Sequence, residues 1–282
     1  MSENFEQVLK GIYENKQEAI EESNAHFQKE ERLIDYISAS LGALSLATLG
    51  NTIKENEILD INYPATDMWF SAHLTNIINT VLSIKDLCIN GFDTQARSLV
   101  RTLDERIYQT LILFSSAEDY DAWKNTEDSK QAHYELFSKK KSILKKITKL
   151  DSKYLSLSAS NHDFLRSLRR ADEEYYSDCI HGASVSVVIG SLAYPFGDLE
   201  EGPFVSSLFG RASSCSFQTL HHVIGQMAYF TYMLNAILMD IHSIQGVNKN
   251  EYVDMYCTSQ SKIIKLSQEL LFAGFNDNPD KI

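Results

Sequence analysis

Four residues one helical turn apart, Arg97, Arg101, Glu105 and Tyr108, form the first group in this chain with chemistry to offer. A guanidinium can steady an anion, a carboxylate can orient it or move a proton, and a phenol can do either at close range. The stripe runs beside an apolar face made by Ala96, Leu99, Val100, Leu103, Ile107, Leu111 and Phe114, spaced by three and four residues. That spacing predicts a helix with one buried side. Charged groups bordering such a face are either salt-bridged packing or a site. Arg101 and Glu105 are placed to pair along the helix, and if they face inward they need partners from other helices.

A second group is Tyr176-Ser-Asp-Cys-Ile-His181-Gly182. A histidine at a helix end, before glycine, can reach a neighbouring cavity and titrate near neutral pH. The same His could equally bond nearby carbonyls. A third group is His221-His222 with Gln226, inside a long uncharged run. Adjacent histidines on a helix point about 100° apart, so a shared metal is disfavoured and a buried histidine satisfied by a neighbour is expected. The phosphate-loop, dinucleotide, HExxH and GxSxG signatures are all missing, and no metal or cofactor is expected.

These groups must be held by helices. Asn90-Gly91 supplies a helix stop, with Asp93 or Thr94 expected to cap the next helix, which runs through Phe114. A helix from Thr66 or Asp67 to Cys88 precedes it, making an antiparallel hairpin. The N-terminal stretch, about 3–50, is one long helix with a narrow apolar stripe (Phe5, Val8, Leu9, Ile12, Tyr13), expected to protrude and support a homodimer. Ser116 caps a short acidic helix ending near Trp123. Ser129–Leu150 is expected to be one helix with lysines 139–141, 145, 146 and 149 outward, a solvated face or a phosphate contact. Asp163–Cys179, Phe217–Ile244 and Asn250–Phe272 complete the set of helices. Glycine, serine and β-branched residues near 183–211 break the period and suggest a small β-hairpin or irregular insertion.

The expected fold class is therefore all-α: a multi-helix bundle of long antiparallel helices in a single domain, 1–282. A net charge of −12 argues against broad nucleic-acid binding, although a local basic patch would survive it. The four cysteines form no CxxC pair, which suits reduced thiols in a cytoplasmic protein. Ala212–Met239 lacks Asp, Glu, Lys and Arg, but Gln218, His221, His222, Gln226 and Asn235 interrupt it, so a bundle helix and no membrane span is expected.

The run Gly91-Phe92-x3-Ala96-Arg97-x-Leu99-x-Arg101-x3-Glu105, the acidic helix ending at Trp123 and the later His181-Gly182 turn resemble a family of bacterial helical proteins without an established function. Such proteins are distantly similar to the HEPN group, which includes metal-independent ribonucleases of abortive-infection systems. The group's Arg-x4–6-His motif is not present, because no arginine stands at that spacing before any histidine. The resemblance implies a fold more than an activity; the acidic balance and the missing motif favour a binding or regulatory protein, in a bacterial defence or stress system on the strength of the resemblance, partnered by itself, by another protein or by RNA. The alternative, favoured by the Arg-Glu centre and the polar turn, is a metal-independent hydrolase or ribonuclease. There Arg101, Glu105 and His181 would be catalytic, and Arg97, Tyr108 and Tyr176 would contact the ligand.

Overall fold

A computed structural model describes residues 3–53, 68–125, 129–138, 142–181, 192–193, 205–206, 210, 213–240 and 251–272. Among them the fold is an all-α bundle. Helix α1 (Glu3–Ile53) runs antiparallel to α2 (Met68–Ile89), as the pairs Ser45–Ser71 and Asp35–Lys85 show. Helix α3 (Asp93–Ser115) returns beside α2, and α4 (Ala117–Lys124) begins at Ser116, whose hydroxyl accepts from the Asp119 N–H at 3.2 Å. Next come α5 (Ser129–His133), α6 (Ser142–Tyr154) and α7 (Ala159–His181), then α8 (Ser214–Asp240) and α9 (Glu251–Leu271). Between α7 and α8, Leu192–Ala193 (β1) and Val205–Ser206 (β2) pair antiparallel over two residues, the described remnant of the expected insertion.

The α2–α3 corner follows from its sequence. Gly91 takes φ 78°, a conformation costly for other residues, so Phe92 N–H reaches Leu87 C=O at 2.8 Å and Gly91 N–H reaches Cys88 C=O at 3.0 Å. Gly210, at φ 90°, rests on this corner, where a Cβ would run into the Asn90 carbonyl oxygen.

Three expectations are corrected. Neither Asp93 nor Thr94 caps α3: Phe92 holds the cap position without a side-chain bond, while buried Asp93 turns inward to Arg97 and Thr219. The charge of Arg97, one turn on, outcompetes the free amides for that carboxylate. Ser129–Leu150 is not one regular α-helix, because α5 gives way to a π turn over Tyr134–Ser138 that buries Phe137, and α6 is described from Ser142. Lys139, Lys140 and Lys141 lie outside the described residues, and Lys146 is bound to Asp119 at 2.7 Å rather than free on a basic face. The uncharged helix is described as far as Asp240, and its expected extension to Ile244 lies outside the described residues.

The core runs through α1, α2, α3, α8 and α9, with Phe27, Ile37, Leu74, Ile84, Leu103, Leu111, Phe230 and Tyr256 fully or almost fully buried. No helix among the described residues is long and apolar enough to cross a membrane. Small hydroxyls allow close helix approach: Ser45 Oγ meets Ser71 Oγ at 2.6 Å, and Ser40 Oγ meets Ser259 Oγ at 2.5 Å. Against this body, α3 and α7 lie antiparallel, and their facing surfaces carry the charged residues.

Candidate functional site

The site grows from two helical faces. On α3, Arg101, Asp104, Glu105 and Tyr108 stand three and four residues apart, and on α7 the same spacing aligns Arg169, Asp172, Glu173 and Tyr176. Where α3 and α7 face each other, α5, the π turn after it and the start of α6 line the space with His133, Phe137, Ile143 and Leu144. The partly open cavity is about 280 Å³.

Beneath it is a buried cation. Arg169 leads α7 into the bundle and is gripped in bidentate fashion by Asp151 of α6, with both side chains almost wholly removed from water. Tyr229 of α8 donates its hydroxyl to the same carboxylate at 2.7 Å. The guanidinium carbon lies 4.9 Å from the Tyr229 ring centre and 5.4 Å from that of Tyr108, within cation–π range. Burial works against the charge on Arg169, but the Asp151 bond and the two phenols more than restore it. Burial pushes the Tyr108 phenol well up, against the lowering influence of Arg169, so it stays protonated and acts as a neutral hydrogen-bonding group.

A second network forms the inner wall. His222 of α8 faces Asp104 at 3.3 Å and Asp172 at 3.9 Å, with its ring 4.8 Å from Tyr176. Burial disfavours the imidazolium, yet the hydrogen bond and charge of Asp104, with Asp172 behind, hold the His222 pKa above its ordinary value. Burial also raises the Asp172 carboxyl, with Asp104 adding to it and His222 opposing. The second oxygen of Asp104 is buried without a hydrogen-bond donor. At the rim, Gln109 and His133 meet at 3.0 Å between side-chain nitrogens.

The expected site residues divide. Arg101, Glu105, Tyr108 and Tyr176 all line the cavity. Arg101 donates to Glu105 at 3.2 Å and to the Glu173 carbonyl oxygen at 3.4 Å, on the open side. Arg97 does not join them. It is buried against Asp93, donates to the Tyr175 hydroxyl at 2.7 Å and packs over that ring, one turn below the cavity wall. His181 ends α7, and its side chain lies outside the described residues. His221 and His222 point to different partners, Glu30 and Asp104, and no cluster suited to a metal occurs among the described residues. Asp104, His133, Arg169, Asp172 and Glu173 are among the lining residues that sequence reasoning did not nominate. Only the 169, 172, 173, 176 spacing on α7 could have revealed part of that set.

No family model matches the sequence, and no curated protein or solved structure matches it.

The burial pattern separates the arginines energetically. The Arg101 and Glu105 side chains are 25% and 53% exposed, so their pair is a surface pair, and Arg101→Ala is expected to lose about 0.5 kcal/mol in urea unfolding. A cost of about 3 kcal/mol or more is expected instead for Arg97→Ala, which strands buried Asp93. Equal losses for the two variants would contradict this assignment.

Proposed function

We propose that the chain is a helical binding protein whose α3–α7 cavity takes a small molecule, with occupancy serving a regulatory role. One observation carries the reading: a partly open cavity of about 280 Å³ is lined both by aromatic and aliphatic side chains, Phe137, Ile143 and Leu144, and by polar groups of α3 and α7. Small-molecule sites have this composition, and this volume sits just under their usual range of about 300–1,000 Å³. A role in bacterial defence or stress fits the likeness to abortive-infection proteins and rests on that likeness alone.

A hydrolase or ribonuclease is the second reading. It is favoured by His133 lining the same cavity as Arg101 and Arg169, three helices supplying together what no linear Arg-x4–6-His motif supplies. Incubation of the chain with single-stranded RNA, without added metal, is its direct trial. Cleavage lost on His133→Ala would support it, and intact RNA would dismiss it.

We further propose that α1 brings two copies together. Its first turns carry Phe5, Val8 and Tyr13 at 49%, 53% and 70% exposure, along a stripe whose first buried residue is Ala19. Deleting residues 1–18 spares the core and is expected to halve the mass seen by light scattering. A full-length chain that is already monomeric at micromolar concentration would dismiss the pairing.

For the cavity itself, thermal unfolding against a panel of small metabolites is the test. A ligand at a hundred times its Kd adds about 2.7 kcal/mol, enough to raise Tm by several degrees. Leu144→Trp, which fills the space, is expected to abolish the shift. An identical shift in parent and variant would place binding elsewhere.

A further inference from the structure

His222 of α8 turns both of its ring nitrogens toward carboxylates on two other helices. Nε2 stands 3.3 Å from Asp104 of α3, and Nδ1 stands 3.9 Å from Asp172 of α7. A neutral imidazole carries one N–H and can serve only one of them, leaving a lone pair toward the other. The imidazolium presents a donor to each. Among the described residues His222 is the one hydrogen-bond partner of the Asp104 carboxylate, whose second oxygen is buried without a donor. Tyr176 of α7 lays its ring 4.8 Å away, and its phenol, pushed well up by burial, adds no charge. His221, next in the chain, turns away to Glu30 of α1. Arg101 and Arg169 are engaged with Glu105 and Asp151, and no other charged group of the described residues acts on the ring. His222 is therefore the positive charge between two acidic side chains that would otherwise repel across the α3–α7 seam.

We propose that His222 is a proton-operated clasp: charged, it fastens the second half of α7 to α3 and α8, and on losing its proton it lets that half loosen. The first half is held separately by Arg169 and Asp151, and the hydrogen bond from Arg97 to Tyr175 keeps the second half attached, so the change is local. Burial opposes the imidazolium, but the hydrogen bond and charge of Asp104, with the charge of Asp172, outweigh it. The pKa of His222 therefore lies above that of an unfolded-chain histidine, about 6.5. Because the value is raised in the folded state, the clasp contributes fully below about pH 6.5 and is lost as pH rises through the folded value. The part of the cavity wall that carries Asp172, Glu173 and Tyr176 thus tightens as alkaline solution is brought toward neutral. The clasp belongs to the fold whether or not the cavity is filled.

NMR titration of the full chain, with the His222 ring signals assigned through their contact with Tyr176, is expected to place its midpoint above that of histidine in the urea-unfolded chain. Asp172→Asn, at a partly exposed side chain, is expected to lower that midpoint. Amide hydrogen exchange, corrected for its intrinsic pH dependence, reads the consequence. Protection over residues 170–179 of α7 is expected to fall as His222 deprotonates, while protection over 77–84 of α2 holds. In His222→Gln the step in α7 is expected to vanish. The parent protein alone decides the matter where a variant folds poorly. A His222 midpoint at or below that of the unfolded chain would overturn the clasp. So would protection of α7 that stays constant through the midpoint, or a loss shared equally by α7 and α2.

Discussion

The pairing of Arg169 with Asp151 is the constraint on which this half of the molecule depends. Withdrawing either charge from water is expensive, and their attraction offsets the loss only when geometry is good and the remaining polar atoms are satisfied. Here satisfaction requires four helices: Arg169 from α7, Asp151 from α6, the Tyr229 hydroxyl from α8 and the Tyr108 ring from α3. Shifting any of the four unmakes a bond in a site with almost no water to replace it. The pair therefore fixes the rotation of α7, and with it the direction in which Asp172, Glu173 and Tyr176 face.

That rotation makes the cavity. Had α7 turned so that Arg166 and Arg170 faced α3, the wall would be basic; instead Arg166 bonds Asp163 at its own exposed surface and Arg170 is exposed. The opposite side of the bundle is built on another principle, with α1, α2 and α9 brought close by serine contacts and apolar packing. Charged networks and the cavity lie together at the α3–α7 face, which is why the functional reading rests there.

The helical plan was legible in the sequence because it depends on local period. The apolar face of α3, the Asn90-Gly91 stop and the Ser116 cap are each written within a few residues. What escaped notice depends on partners distant in the chain. Arg166, Arg169 and Arg170 are alike as letters, and only the position of Asp151, eighteen residues before Arg169 and on another helix, selects the one that is buried. Asp93 read as a cap because its preference for amides is local, whereas its actual partners include Thr219 of α8. Arg97 and Arg101 share one stripe, yet one turn of helix carries the first into the packed layer and leaves the second at the rim. Arg101 and Glu105 share one pocket, but the anchor of that pocket is Arg169, whose pair with Asp151 is buried where that of Arg101 is not.

A double-mutant cycle in urea on Asp151→Leu and Arg169→Met measures this anchor directly. The single changes each leave a buried charge alone and are predicted to cost about 3–5 kcal/mol, while the double change removes both charges and recovers much of that loss. Two single variants within about 0.5 kcal/mol of the parent, with strictly additive effects, would contradict the account.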